Sequence, residues 1–469
     1  MAMGEGGLFG VAKKNCFKEL FYGIDYHSHL ATEYGGLAIF TRGNIFRSSK
    51  YIGDAQFKSK LKFKELNKLG TYGIGAVSEE RQPAYVEGQT NFALVSDSHI
   101  KNSNSLIEIL KKQGISFSPR RDKITDASIL AKLINKEENI VTGIEKALSA
   151  IEGDASLLVL TEEGIYAARD KYGLRPLVLG ERDASFAIAT ETCSFPNNHF
   201  KIKKYLQSGE ILFFNEEEFR TEKIIQGSRL NICPFFWVYF GNPASSYENI
   251  SAEEARYNIG AAIAKQENLE ADFVAAVPNS GIAHATGYSH ESDTQFKRAL
   301  IRYDAGWSRS YMPPIQEKRN KISYFKLNPV QSLIKNSSMV LVDDSIRRGT
   351  QMQRLLEDKI WPHNPKEVHV RIASPPQFYP CIRGEGNPDN LATRKAIAEL
   401  EGIVNKDVTD DYVTEYRTDA EKYNKMVDQI KKEISATSLK FISLEDMIKS
   451  INISKENICK FCWTGKKYY

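Results

Sequence analysis

The sequence predicts two folded units in tandem: an α+β layered unit over residues 1–228 and an α/β unit with a doubly wound parallel sheet over residues 229–469. Two observations carry this. In the first part, short apolar runs follow one another with helical patterns interleaved, which is how an α+β layer structure is written. In the second part a strand–turn–helix rhythm repeats, and parallel sheets are built that way. In order, Gly35 to Phe40, Phe92 to Val95 and Leu157 to Leu160 read as buried strands. Ser128 to Leu133 and Thr142 to Ile151 read as helices, the second with Thr142 as its cap. The chain turns polar between Arg220 and Arg229, and the boundary is placed there. Ser251 to Gln266 reads as a capped helix, Phe273 to Val277 as a strand, and Pro278-Asn279-Ser280-Gly281 as the turn before another helix. Glu367 to Ile372 supplies a further strand, and Leu391 to Val404 and Thr418 to Ile434 read as terminal helices.

Composition narrows the possible partners. The formal charge of +4 is the difference of 63 basic and 59 acidic residues, so no global field points to nucleic acid or a membrane surface. The basic run Arg120-Arg121-Asp122-Lys123 reads as solvated surface. No apolar run approaches the roughly 18 residues that cross a bilayer, and Met1-Ala2-Met3-Gly4-Glu5 lacks the basic-then-apolar pattern of a signal peptide. A cytoplasmic protein is expected. Its 6 cysteines are too few for a disulfide scaffold in a chain of 469 residues.

The most informative stretch is Val340-Leu341-Val342-Asp343-Asp344-Ser345-Ile346-Arg347-Arg348-Gly349-Thr350. A β-branched run reads as a buried parallel strand, and it stops at two adjacent acids. Open α/β sheets bind ligands at that end of their strands. The turn that follows offers main-chain amides at a helix start, which suits a phosphate. Two acids can hold ribose hydroxyls and a magnesium ion, which prefers one or two carboxylates plus substrate phosphates. The pattern fits a sugar phosphate such as phosphoribosyl pyrophosphate (PRPP); the competing reading is a strand followed by a Ser-capped helix.

Further landmarks extend the pattern over nearly the whole chain: Gly7-Leu8-Phe9-Gly10, Gly173-Leu174-Arg175-Pro176, Glu191-Thr192-Cys193-Ser194-Phe195, Tyr239-Phe240, Val277-Pro278-Asn279-Ser280-Gly281, Ser374-Pro375-Pro376 and Cys462-Trp463-Thr464-Gly465. With the acid-ended strand they resemble the glutamine PRPP amidotransferase family. The resemblance implies an N-terminal glutaminase-like domain of the Ntn-hydrolase fold, with αββα layers. It implies a type I phosphoribosyltransferase domain with a parallel sheet and a cysteine-bearing C-terminal tail. Ser280, Asp343 and Asp344 would then form the magnesium and ribose site, and Ser345, Ile346, Arg347, Arg348, Gly349 and Thr350 would take the 5′-phosphate. The basic stretch between Asp304 and Asn328 matches the family's mobile loop, in which Arg309, Lys318, Arg319 and Lys326 could grip pyrophosphate; Arg309 and Lys326 are the catalytic candidates beside the two acids. A charged surface excursion is the bland reading of that stretch. The family's Asn-Arg-Tyr before the loop is Ile301-Arg302-Tyr303 here, and Asn279 stands where it has Asp, so the acceptor pocket is expected to differ.

The glutaminase half departs from the family. Its nucleophilic cysteine matches Gly6, which has no side chain to attack with. Its Gly-His-x-Arg element is Gly75-Ala76-Val77-Ser78, so the glutamine-binding arginine is Ser78 and the histidine Ala76. Its oxyanion-hole Asn-Gly pair is Asp97-Ser98, and a carboxylate there would repel a developing oxyanion. Its His-Arg-Gly element is His29-Leu30-Ala31; only Asp126 matches a residue that holds the substrate amine. Loss of glutamine hydrolysis is expected.

Cys459-Lys460-Phe461-Cys462 is, by itself, a redox pair, a zinc half-site or a coincidence. One branch of the family carries a 4Fe–4S cluster whose four ligands match Cys233, Cys381, Cys459 and Cys462. Zinc, or plain buried thiols with no metal, are the alternatives. Cys16 and Cys193 read as structural, and His27-Ser28-His29 as ordinary core or surface. The expected activity is magnesium-dependent transfer of phosphoribose from PRPP to ammonia or another amine, by a homo-oligomer without nucleic-acid or membrane partners. The alternative is a regulatory or scaffold protein that binds PRPP or nucleotide without turnover.

Overall fold

The computed structural model describes every residue except 1–5, 32, 54–56, 61–69, 118–123, 304–326, 385 and 469. The first part contains strands β1 (Gly7–Ala12), β2 (Tyr34–Thr41), β3 (Asn44–Tyr51), β4 (Tyr72–Ser78), β5 (Ala84–Val86), β6 (Phe92–Ile100), β7 (Gly153–Leu160), β8 (Ile165–Arg169), β9 (Val178–Arg182), β10 (Ser185–Ala189), β11 (Lys201–Tyr205), β12 (Glu210–Phe214) and β13 (Phe219–Ile224). They form two antiparallel sheets, ordered β11-β9-β10-β1-β4-β2-β3 and β13-β12-β8-β7-β6-β5. Strands buried on both faces explain why the sequence shows apolar runs instead of alternation. In β1, Leu8 and Ala12 point between the sheets, beside Ala76, Val95 and Leu158. Phe9 and Val11 point the other way, onto helix α1 (Phe17–Asp25). The outer face of the second sheet is covered by α2 (Ser103–Lys112), α3 (Asp126–Ile134) and α4 (Ile140–Ala150). Helix, sheet, sheet, helix is the expected αββα arrangement.

The second part centres on a parallel sheet. Two short strands come first, β14 (Ser246–Tyr247) and β15 (Ile250–Ser251), then α5 (Ala252–Ala264), β16 (Phe273–Ala276), α6 (Ile282–Glu291), β17 (Leu300–Arg302), β18 (Leu327–Pro329), β19 (Ser338–Asp343), α7 (Thr350–Leu355) and β20 (Glu367–Ile372). Then follow α8 (Ala392–Glu401), α9 (Asp410–Thr418), α10 (Ala420–Glu433), β21 (Ser438–Phe441), α11 (Leu444–Ile451) and a single helical turn at Phe461–Thr464. Strand order is β16-β19-β20-β21, every pair parallel. Met339 and Leu341 of β19 join the apolar layer with α8 and α10, whereas Val340 and Val342 face α5 and α6. Both faces of the sheet are therefore covered, as a parallel sheet requires. Among the described residues no helix is long and apolar enough to cross a membrane.

Three local expectations need correction. The cap of α4 is Asn139, whose Oδ1 accepts the Thr142 amide at 2.9 Å; Thr142 sits inside the first turn. The stretch from Leu391 to Val404 is helical only over Ala392–Glu401. Thr418 closes α9 instead of opening α10, because Asp419 caps the new helix by accepting the Lys422 amide at 2.9 Å. Short polar side chains compete for main-chain amides, so two candidates a few residues apart are hard to rank from sequence alone. Ser251 does cap α5, accepting the Glu254 amide at 3.3 Å.

Candidate functional site

The acid pair stands at the carboxyl end of β19, where the parallel ladder stops. Across from it, β16 ends in the turn that carries Ser280, held in place by the Val277 amide donating to the Val342 carbonyl at 3.0 Å. A Cβ on Gly281 would meet that carbonyl at 2.3 Å, so only glycine lets the turn lie this close to β19. Ser280 Oγ consequently donates to Asp343 Oδ1 at 3.2 Å, and Ser345 Oγ donates to Asp344 Oδ1 at 2.5 Å. Burial raises the Asp343 carboxyl well above the usual range, and the Asp344 charge adds to that. Burial raises Asp344 as well, opposed by hydrogen bonds from Ser345 and Ser280 and by the field of buried Arg256. Two half-desolvated carboxyls side by side favour a cation between them. Hard oxygen donors, two of them carboxylates, are the donor set magnesium takes.

Beyond the acids, Gly349 turns the chain at φ +79°, and α7 begins at Thr350. No amide from Ser345 to Thr350 donates to a protein acceptor among the described residues. Six main-chain amides with no protein acceptor among the described residues, at a helix start, are a donor set that suits an anion. Ser280, Asp343, Asp344, Ser345, Ile346, Arg347, Arg348, Gly349 and Thr350 are thus brought together in one crevice. Arg309, Lys318, Arg319 and Lys326 lie outside the described residues.

The matched glutaminase positions also converge, and their contents are closed. Gly6 precedes β1, which pairs with β4 (Gly7 opposite Val77), so Ala76 and Ser78 lie on the neighbouring strand. Ala76 is packed between the sheets, and Ser78 Oγ accepts from Gln82 Nε2 at 3.0 Å. A Cβ at Gly6 would meet Asp97 Cβ at 3.2 Å and Cγ at 3.3 Å. Asp97 is not the bare repelling charge the sequence suggests. Arg175 Nε sits 2.5 Å from its Oδ2, and Arg383 Nη2, from the far half of the chain, 2.5 Å from its Oδ1. Ser98 Oγ bonds Ser96 Oγ at 3.0 Å, and Asp126 Oδ2 accepts the Ile100 amide at 2.9 Å. His27 is a satisfied core histidine, its Nδ1 2.7 Å from the Gly23 carbonyl and its Nε2 2.9 Å from the Glu191 amide.

Cys233, Cys381, Cys459 and Cys462 line a single cavity with Leu174, Arg175, Arg383 and a wall of aromatic side chains. Main-chain bonds stitch their segments together: Cys233 N to Leu174 O at 3.2 Å, Cys459 N to Ile232 O at 2.9 Å, and Phe378 N to Cys462 O at 3.0 Å. Burial pushes Cys459 up to about 12 and Cys233 well above the usual thiol range. The Cys462 thiol is raised by its hydrogen bond to Cys381, which in turn is held down to about 6. Among the described residues no three His, Cys, Asp or Glu side chains are placed to hold a metal ion. Cys381 and Cys462 lie within hydrogen-bond distance of each other, and Cys233 and Cys459 line the same cavity. Cys16 and Cys193 are buried, each raised to about 12 chiefly by burial, as inert structural thiols would be. Arg383, Asp154 and Tyr468 were missed by sequence reasoning; no spacing links positions so far apart.

Fold and crevice together define a two-part protein, an Ntn-type amidotransferase layer structure joined to a type I phosphoribosyltransferase sheet. The glutamine amidotransferase domain model matches residues 72–197. Amidophosphoribosyltransferases of Methanocaldococcus jannaschii and Bacillus subtilis are each 28% identical over 98% of this chain, covering 96% and 94% of their own lengths. The structure of the B. subtilis glutamine PRPP amidotransferase complexed with ADP and GMP matches with a TM-score of 0.82 at 26% identity, covering 98% of this chain and 97% of that one. The chain is thus similar to amidophosphoribosyltransferases over nearly its whole length, in sequence and in fold.

Proposed function

We propose that this protein transfers phosphoribose from PRPP to ammonia or another amine taken from solution, releasing pyrophosphate, and that it does not hydrolyse glutamine. The observation that carries the first part is the crevice itself, two acids beside six unpartnered amides. Asp343 and Asp344 would accept the ribose hydroxyls, while the amides from Ser345 to Thr350 and the Ser345 and Thr350 hydroxyls would hold the 5′-phosphate. This fixes C1 of the sugar beyond the acids, in line for an incoming amine. Magnesium held by Asp343, Asp344 and Ser280 would offset the charge of the departing pyrophosphate. Arg309 and Lys326 are assigned to the same leaving group from the basic stretch, whose closure would keep water from the sugar.

The second part rests on Gly6 and Asp97. No thiol stands at the matched nucleophile position, and a side chain there would crowd a carboxylate already locked to two arginines. The relatives are named for glutamine-dependent chemistry; this reading departs from them at that one site. The division at 228/229, assembly as a homo-oligomer and residence in the cytoplasm belong to the same proposal. So does a 4Fe–4S cluster on Cys233, Cys381, Cys459 and Cys462, which is supported by the four sulfurs lining one cavity. Pyrophosphate release from PRPP, measured with ammonium, a panel of amines, and glutamine, tests the whole. Turnover with ammonium or one amine and none with glutamine is expected; glutamine matching ammonium would overturn the second part. Tight PRPP binding with no pyrophosphate from any acceptor would favour the non-catalytic alternative.

A further inference from the structure

The relic glutaminase site and the cysteine cavity share a wall. Arg175 and Arg383 line the cavity with the four thiols, and both guanidinium groups bind Asp97. Arg383 Nη1 also lies 2.8 Å from Asp154 Oδ1, and Tyr468 Oη donates to Asp154 Oδ2 at 2.9 Å. Every member is nearly inaccessible: Asp154 is 0% exposed, Arg175 2%, Asp97 3%, and Arg383 and Tyr468 5% each. Asp97 and Asp154 belong to adjacent strands, since β6 pairs with β7 (Asp97 opposite Ser156, His99 opposite Asp154). Arg383 follows Cys381 by two residues, and Tyr468 follows Cys462 by six. Two carboxylates of the amino-terminal sheet therefore hold the two carboxyl-terminal segments that carry three of the four thiols.

Within this cluster two acids face two arginines, with the buried Asp170 carboxyl close enough to Asp154 to be raised by it, and in a buried setting such countercharge matters. Removing one partner strands the other without water, which destabilises far more than the intact pair contributes. Arginine at the rim of a cavity lined by four cysteines would complement any negative charge the sulfurs take on. Its position then matters to whatever the sulfurs hold.

We infer that Asp97 and Asp154 are positioning residues for the cysteine site, acting through Arg175, Arg383 and Tyr468, so that the amino-terminal domain, closed as a glutaminase, now serves as the anchor of that cavity. The inference rests on the reading above only in naming the group the sulfurs take. Asp97→Asn, Asp154→Asn and Tyr468→Phe are compared with the intact full-length chain, and with Arg371→Gln as a control. Arg371 pairs with Glu267 at 2.6 Å, a largely buried ion pair whose residues do not line the cysteine cavity. Iron and sulfide content after anaerobic purification is one readout. Per-cysteine alkylation rates in the metal-free protein, followed by mass spectrometry, are the other.

Asp97→Asn and Asp154→Asn are expected to speed alkylation of Cys381 and Cys462 by about tenfold or more and to lower iron retention. Arg371→Gln is expected to leave both readouts unchanged. Should the carboxylate variants fail to fold, Tyr468→Phe decides, with an expected rise of about threefold from one lost hydrogen bond. Wild-type alkylation and iron content in the variants that fold, or equal changes in the Arg371→Gln control, would overturn the inference. An iron-free native chain whose cysteines still respond to Asp97→Asn would sink the cluster reading and leave the anchor standing.

Discussion

Two pairs of aspartates, one in each half of the molecule, are treated in opposite ways. Asp97 and Asp154 face two arginines and a tyrosine hydroxyl, and every charge is met inside the protein. Among the described residues, Asp343 and Asp344 accept from serine hydroxyls and one amide, with the field of Arg256 reaching Asp344; burial raises both, as it also raises Asp154. A carboxylate cancelled from within is structure. One with no ion-pair partner among the described residues, at the mouth of a sheet beside amides that also have none there, is a candidate to take a ligand. The same residue type thus reports scaffold in one half and chemistry in the other.

The sharpest way to break this contrast is the double change Asp343→Asn and Asp344→Asn. Pyrophosphate release is expected to fall at least about a thousandfold with circular dichroism unchanged; persistent turnover would refute the assignment. Next in size is a stability effect in the amino-terminal half. Burial holds His27 down to about 4, against an ordinary 6.5. The unfolded chain therefore takes up the proton first on acidification. The contribution of neutral His27 is complete above pH 6.5 and is lost as the pH falls toward 4, by on the order of 3 kcal/mol. Denaturant titrations should show the gap between wild type and His27→Gln narrowing across that window; a constant gap would mean His27 does not titrate there. Smaller still, Asn139→Ala should cost about 1 kcal/mol through the lost cap of α4, without altering turnover. At the bottom of the scale, Gly6→Cys is expected to gain no glutamine-driven activity. Any glutamine turnover in that variant would show that the pocket is only one residue from function.

Much of this contrast was legible in the chain. The crevice was readable because strand, acids and turn are contiguous from Val340 to Thr350, where local rules operate. The absence of a thiol at the matched position was readable because Gly6 has no side chain, whatever the fold. The fate of Asp97 was not. Its partners lie 78 and 286 residues further on, and a sequence gives no measure of such approach. It looked like a hostile charge and is a neutralised one. Caps at Asn139 and Asp419 were missed for a smaller reason, since neighbouring polar residues compete for the same amides and packing selects among them.

The order of synthesis adds a consequence to the closure of the cavity. Cys233 and Cys381 emerge well before Cys459 and Cys462, and the last pair reaches its place only as Ile458 lies along Ile232 and Tyr468 finds Asp154. Three of the four sulfurs are therefore recruited to a wall that must already exist. Closure of the cysteine cavity is then a late event, gated by the prior folding of the amino-terminal sheet that carries Asp154.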